Sequence, residues 1–181
     1  SSGGISFQEL FSGAEIQTAA AKSLELEEIA RITCRGGWPQ AVSLSGNAAL
    51  DQAYNYVDAV TRQDISRVDG TARDEDRARR LIRSYARLQG TQASASVIRE
   101  DLSTNEMTSL DNSTIYSYLN ALKRLFVVED MPAWNPNLRA KDSIRTSDAR
   151  YFVDPSIAAA ALEIGPEDLM NDLTTFGLLF E

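Results

Sequence analysis

A row of polar side chains along residues 114–126 has the types and spacing needed to contact a nucleic acid. In a helix over these residues, five polar side chains would point away from the apolar face: Tyr116, Ser117, Asn120, Lys123 and Arg124. Asparagine pairs with adenine, arginine with guanine, and lysine or tyrosine with phosphate. The following stretch, 135–148, adds three cations that would lie along phosphates: Arg139, Lys141 and Arg145. These eight residues are the candidate DNA contacts.

The composition excludes several other kinds of chemistry. The 181 residues contain no histidine, so Ser-His catalysis, Cys-His catalysis and His-containing metal sites are excluded. None of the ten glycines is followed by lysine, so the chain has no GxxxxGK[ST] phosphate-binding loop. The aspartates are numerous, but their spacing singles out no metal site. We therefore expect no catalysis, no metal and no cofactor in this chain.

Charge and hydropathy limit the partners. The net charge of −8 opposes tight, non-specific DNA binding, so any nucleic-acid contact must come from local basic patches. No apolar run approaches the roughly 18 residues of a membrane span, so no membrane partner is expected. The single cysteine, Cys34, excludes an internal disulfide, and the first residues do not resemble a signal peptide. Both features favour a cytoplasmic location.

Helical periodicity dominates the elements that would position the polar row. Apolar residues recur at helical spacing over four segments that precede it: 24–34, 47–68, 72–89 and 95–102. We expect Gly36 to end the first segment, Asn47 to cap the second, and Asn112 or Ser113 to cap the helix that carries the polar row. Beyond the strands described next, Asp154-Pro155 should start a further helix that Gly165 ends.

Two short strands follow the central helix. Phe126, Val127 and Val128 begin the first, Pro132 interrupts it, and residues 151–153 form the second. Helices followed by two strands around a basic loop are the outline of a winged helix-turn-helix with a small β-hairpin. Two interpretations stay open. The exposed polar face and basic loop favour DNA contact, whereas the acidic composition favours docking on a protein, including a second copy of the chain.

Structural roles are favoured for the other conspicuous residues. Five arginines recur along 73–87 beside acidic residues, which favours a solvated face with i,i+4 ion pairs over a row of phosphate contacts: Arg73, Arg77, Arg80, Arg83 and Arg87. Trp38 and Trp134 lie near prolines and should pack rather than stack on bases. Cys34, at a helix end, should be buried rather than nucleophilic.

Several local motifs agree in order and spacing with one family. The chain resembles the C-terminal part of prokaryotic AAA-type ATPases, which carry a C-terminal domain of unknown function of the restriction-endonuclease-like class. The matching stretches are ISFQELF at 5–11, GGWPQAV at 36–42, DI at 64–65, TIYSYLNAL at 114–122, AW at 133–134, YFVD at 151–154 and FGLLFE at 176–181.

The resemblance implies that nucleotide binding and other catalytic functions lie outside this chain. The ATPase core, with its ATP and Mg²⁺, would lie outside this chain and would be a partner of it, and a nuclease-like core would begin near Glu181. The expected segments are a boundary segment at 1–22, a helical, lid-like subdomain at 23–90, a winged-helix-like domain at 91–153, and the start of a truncated domain at 154–181. We therefore expect a mainly α-helical, non-catalytic regulatory or interaction segment that contacts DNA weakly; the alternative is a docking or self-assembly module without nucleic-acid binding.

Overall fold

The computed structural model describes residues 11–12, 24–132 and 148–181. Its elements in chain order are α1 (Leu26–Arg35), α2 (Pro39–Val42), α3 (Asn47–Ala59), a π-helical segment (Val60–Asp64), α4 (Ile65–Arg67), α5 (Glu75–Arg87), α6 (Ala95–Asn105), α7 (Asn112–Arg124), β1 (Val128–Met131), β2 (Ala149–Phe152), α8 (Pro155–Leu162), α9 (Pro166–Asn171) and α10 (Leu173–Phe180). The prediction of a mainly helical chain with a small β-hairpin is confirmed.

The two strands form an antiparallel pair. Val128 lies opposite Phe152, and Met131 lies opposite Ala149. The other edge of β2 is also occupied, because the backbone of Arg150 accepts a hydrogen bond of 2.8 Å from Gly90 and donates one of 3.0 Å to Thr91. The turn between α5 and α6 therefore lies along the hairpin and joins it to the preceding helices.

A side-chain cap marks the start of helix α7, and a reversal of the backbone marks its end. Asp111 is its N-cap and accepts a hydrogen bond of 2.9 Å from the backbone N–H of Thr114. The predicted caps, Asn112 and Ser113, already lie inside the helix, because the aspartate before them provides the acceptor. At the other end Phe126 takes a positive φ of 55°, and this reversal starts the chain toward β1.

Helix α8 lies at the centre of the packing. Asp154 caps it by accepting a hydrogen bond of 2.9 Å from the backbone N–H of Ser156, and Pro155 occupies its first turn, as predicted. Its side chains from Ser156 to Ala161 are all buried. Small alanine side chains allow close helix approach, and α8 packs against α1, α3 and α5. One hydrophobic cluster includes residues of all these helices.

Two further helix boundaries differ from the predictions. Gly46 precedes α3 as its N-cap, so Asn47 is the first helical residue rather than the cap. Helix α8 ends before Gly165, because Glu163 itself takes the left-handed conformation at φ 58°. The division of the chain at residues 22, 90 and 153 stays a prediction. Among the described residues, no helix has both the length and the apolar character required to cross a membrane.

Candidate nucleic-acid interface

Helix α7 is held rigidly on its inner side. Ile115, Leu119 and Leu122 are buried in the hydrophobic cluster. The hydroxyl of Tyr118 accepts a hydrogen bond of 3.0 Å from the backbone N–H of Asp74, at the N-cap of α5. Because apolar contacts and this hydrogen bond fix the rotation of α7 about its axis, they also decide which of its side chains face outward.

Three of the predicted contact residues form an exposed row. Tyr116, Asn120 and Arg124 are spaced four residues apart, so they lie on one side of α7 over two successive turns. All three are exposed, Tyr116 by 51 %. Their side chains form no hydrogen bond or ion pair within the described part of the chain. The row therefore offers a phenol, a carboxamide and a guanidinium to an external ligand.

Two other predicted contact residues are occupied by intramolecular partners. Arg73 donates to the side-chain hydroxyl of Ser117 at 3.2 Å. Lys123 forms an ion pair with Asp130 on β1, and Arg150 on β2 pairs with the same carboxylate. Burial alone would raise the pKa of the Asp130 carboxyl, but hydrogen bonds from Arg150 and Lys123 hold that pKa below its ordinary value. Lys123 is therefore neutralised locally and is a poor phosphate ligand.

The arginines of residues 73–87 mostly connect α5, and the turn before it, to other elements. Arg73 binds Asp69 at 2.8 Å, and Arg83 donates to the backbone carbonyl of Ala161 at 3.1 Å. Arg80 donates to the carbonyl of Glu106 at 2.7 Å.

Arg87, the last of the five, pairs with Asp101 at 2.6 Å and with Glu106 at 2.8 Å. The predicted i,i+4 ion pairs form in part: Arg73 pairs with Asp69, and Arg79 on α5 pairs with Glu75 at 3.2 Å. Arg80, Arg83 and Arg87 instead bind residues of other elements. Arg83 and Arg87 have no acidic residue one turn away in sequence, so the spacing could not predict their partners, which tertiary packing supplies. Arg77, which is exposed, has no ion-pair partner among the described residues.

Charge is distributed unevenly along the chain. Residues 75–153 hold twelve Lys and Arg against ten Asp and Glu, a net charge of +2, although the whole chain carries −8. The acidic excess therefore lies outside the three helices α5–α7 and the hairpin. A count by segment would have revealed this feature from the sequence alone, whereas the total net charge concealed it.

An exposed aromatic ring follows the row. Phe126 is 79 % exposed and lies just beyond Arg124, at a positive φ that a non-glycine residue rarely adopts. Sequence reasoning placed Phe126 at the start of a strand, but β1 begins two residues later. The remaining predicted contacts, Arg139, Lys141 and Arg145, lie outside the described residues, as does Trp134.

The other residues considered have structural surroundings. Burial raises the pKa of the Cys34 thiol to about 12, so it is not an activated nucleophile. Trp38 is partly buried, its indole N–H donates to the hydroxyl of Ser156 at 2.8 Å, and its ring centroid lies 4.6 Å from that of Tyr56. Gly36 ends α1, as predicted. Within the described ranges, no group of three His, Cys, Asp or Glu residues is arranged to hold a metal ion.

Comparison with known proteins identifies one family. The family model described as "Domain of unknown function (DUF8612)" matches residues 26–168, from the start of α1 into α9. This match covers most of the chain and includes α7, the hairpin and the arginines of α5. No curated protein and no solved structure matches the chain.

Proposed function

On the premise that the chain belongs to the family described as a domain of unknown function (DUF8612), we propose that residues 75–153 form a winged helix whose α7 contacts duplex DNA. The observation that carries this proposal is the exposed row of Tyr116, Asn120 and Arg124 on a helix held rigidly from behind. A rigid scaffold places base-contacting side chains at low entropic cost.

The order of the elements supports the proposal. Three helices are followed by two antiparallel strands, and the third helix carries the exposed polar row, as a recognition helix does. The hydrogen bonds between Arg150 and residues 90–91 join the hairpin to the turn between the first two helices. The proposed unit therefore begins at α5, earlier than residue 91, where the sequence placed its start.

The chemistry of the row fits base and phosphate contacts. The carboxamide of Asn120 presents a donor and an acceptor that match adenine, and the guanidinium of Arg124 presents a donor pair that matches guanine. The hydroxyl of Tyr116 can donate to a phosphate oxygen. Because Lys123 is paired with Asp130 and the unit carries only a small positive charge, the contact would be weak and sensitive to salt.

A second step of the proposal concerns the larger protein to which this chain would belong. The motifs shared with AAA-type ATPases support a role as a non-catalytic regulatory segment of such an enzyme. The sequence contains no glycine followed by lysine, so these residues do not fit a P-loop site for ATP and Mg²⁺. The nucleotide would have to bind in a separate ATPase domain. Copurification of this chain with an ATP-hydrolysing domain of the same protein would test this step.

Charge reversal at Arg124 tests the DNA contact. Arg124→Glu should weaken binding to a labelled duplex by roughly tenfold at low salt, because a base or phosphate contact is replaced by repulsion. Arg31→Glu is the matched control, because Arg31 is also exposed, forms no ion pair with a described residue and lies on α1, outside the proposed unit. Fluorescence anisotropy measures both. Equal affinity of the two variants and the unaltered chain would refute the role of α7.

Lys123 is left unchanged in this experiment. A Lys123→Glu substitution would place a second carboxylate beside Asp130 and would disturb the junction between α7 and the hairpin. Weakened DNA binding could then arise from damage to the fold. The single Arg124→Glu change avoids this ambiguity.

A docking role without nucleic-acid binding is the second candidate function. It is favoured by the acidic residues at the end of α7, where Glu129 is exposed and Asp148 is half-buried beside Lys123 and Phe126. These carboxylates would repel phosphates but would suit a protein surface. Absence of DNA binding at low salt, together with self-association or binding to a separately expressed ATPase domain in sedimentation experiments, would favour this alternative.

A further inference from the structure

Helices α1 and α10 lie side by side and leave an open apolar groove, which we call the α1–α10 groove. It has a volume of about 290 Å³ and is lined by Leu26, Ile29, Leu173, Phe176, Gly177 and Phe180. None of these lining residues is charged or polar. Among the described residues, none of α5, α6, α7, β1 or β2 lines the groove, so it is separate from the exposed row on α7.

The groove exposes large apolar side chains. Leu173 is 59 % exposed and Phe180 is 65 % exposed, whereas Phe176 is buried and forms the floor. A methyl group added at Gly177 would meet no atom of the described residues within 4 Å, so these residues leave the space above this glycine open. An open floor between exposed apolar walls is the shape that accepts the apolar face of a helix.

The spacing of the lining residues also suits a helix partner. Leu173, Phe176, Gly177 and Phe180 follow the i, i+3, i+4, i+7 pattern, which forms one continuous stripe along α10. Leu26 and Ile29, three residues apart on α1, line the opposite side of the groove. Such a stripe normally faces a protein core, but here it faces outward among the described residues.

Acidic side chains flank the groove. Glu25 is four residues from Ile29, and Glu181 is four residues from Gly177, so each lies one helical turn from a lining residue. Asp172, at the start of α10, lines a separate cavity with Arg87. Glu25 and Glu181 are exposed and form no ion pair with a described residue. No Lys or Arg of the described residues stands three or four positions from a lining residue. The surroundings of the groove therefore favour a cationic ligand.

The same charge argues against a second copy of this chain as the occupant. A symmetric dimer through this face would place the same patch of both copies in contact, and their acidic flanks would repel one another. We infer that the α1–α10 groove binds an amphipathic helix of another protein, which carries Lys or Arg on either side of its apolar face. The apolar face would cover Leu173 and Phe180, and the cations would face Glu25 and Glu181.

A model peptide tests this inference on the full chain. The probe is a fluorescent helix of about 18 residues with leucine at i, i+3, i+4 and i+7 and lysine elsewhere, long enough to be helical when bound. A peptide with glutamate in place of lysine is the charge control. The lysine peptide should bind, and the glutamate peptide should bind at least about tenfold more weakly, because its charge matches that of the flanks.

Gly177 provides matched variants. Gly177→Trp should fill the groove and weaken binding of the lysine peptide by at least about tenfold, whereas Gly177→Ala should leave it within about twofold. Neither variant changes the net charge, so non-specific attraction of the peptide to the acidic chain is held constant. Circular dichroism and thermal unfolding show whether the fold is kept. If Gly177→Trp does not fold, Phe180→Gln replaces it, since that ring is mostly exposed, and the same loss is expected.

Four results would overturn the inference. They are absence of lysine-peptide binding, equal binding by Gly177→Trp and the unaltered chain, equal binding of the glutamate peptide, and a dimer of the unaltered chain that Gly177→Trp dissociates in sedimentation. The last result would identify a second copy as the occupant. Loss of DNA binding in Arg124→Glu does not affect this experiment, so the two proposals fail independently.

Discussion

Replacing Gly36 with alanine is expected to lower the free energy of unfolding by about 2–4 kcal/mol, because two costs add at this position. The first is conformational: Gly36 has φ 72° and ψ −174°, a region used almost only by glycine, and other residues there cost of order 1–3 kcal/mol. The second is a collision. An added methyl group would lie 2.5 Å from Oδ1 of Asp154, and closer still to the hydroxyl oxygen of Ser156.

The collision would break the contacts that hold α1 against α8. Asp154 caps α8 and also accepts a hydrogen bond of 2.8 Å from the backbone N–H of Gly37. Ser156 accepts one of 2.8 Å from the indole of Trp38. If the two side chains move aside, the helix loses its N-cap, which costs about 1 kcal/mol. This loss adds to the conformational strain.

Gly46→Ala is the control that separates the two costs. Gly46 has φ 58° and ψ −146°, but no atom in the described part of the chain lies within 4 Å of an added methyl group, so only the conformational cost applies. Urea unfolding followed by circular dichroism measures both variants. Gly36→Ala should be less stable than Gly46→Ala by at least about 1 kcal/mol. Equal unfolding free energies would refute the contact between Gly36 and the start of α8.

Three further predictions concern single residues. Because the chain has no histidine and burial raises the pKa of Cys34 to about 12, urea unfolding should show constant stability from about pH 6 to 8 and a loss above about pH 9, where the unfolded thiol ionises. Burial alone would raise the pKa of Asp101, but its hydrogen bonds from Arg87 hold it below its ordinary value; stability should therefore fall as the pH drops below about 4, and less so in Arg87→Ala. Tyr118→Phe removes the acceptor for the N–H of Asp74 and should cost about 1 kcal/mol in urea unfolding.

Capping residues and apolar spacing in the sequence were sufficient to predict where most helices lie and which sides of them are buried. Asp154-Pro155 starts α8, Gly36 ends α1, and apolar residues at helical spacing mark the buried sides of α5 and α7. These features depend on residues within one or two turns of each other, so the sequence contains them directly.

Long-range contacts were not predictable in the same way. No acidic residue of α5 lies within one turn of Arg87, and its partners are Asp101 and Glu106, on and after α6. Glu163 adopts the left-handed conformation two residues before the glycine that was expected to end α8. The partners of Arg87 and the backbone conformation of Glu163 depend on how elements distant in sequence pack together. The periodicity of apolar residues does not predict that packing.

The candidate interface shows the same limit. The sequence correctly places Tyr116, Asn120 and Arg124 on the exposed side of α7. It could not show that Lys123 is occupied by Asp130, because that pairing depends on how β1 returns beside the helix. Likewise, the apolar residues of α10 are visible in the sequence, but only the packing of α1 and α10 shows that they line an open groove.

The most direct test of the central claim is the salt dependence of duplex binding by the unaltered chain, measured by fluorescence anisotropy. The cations proposed to contact DNA are Arg124 on α7 and the predicted loop cations Arg139, Lys141 and Arg145. At about 0.9 counterions per phosphate contact, log affinity should fall linearly with log salt at a slope no steeper than about −4. Binding at low salt with such a slope is the predicted result. Absence of binding at low salt would contradict DNA contact by this unit.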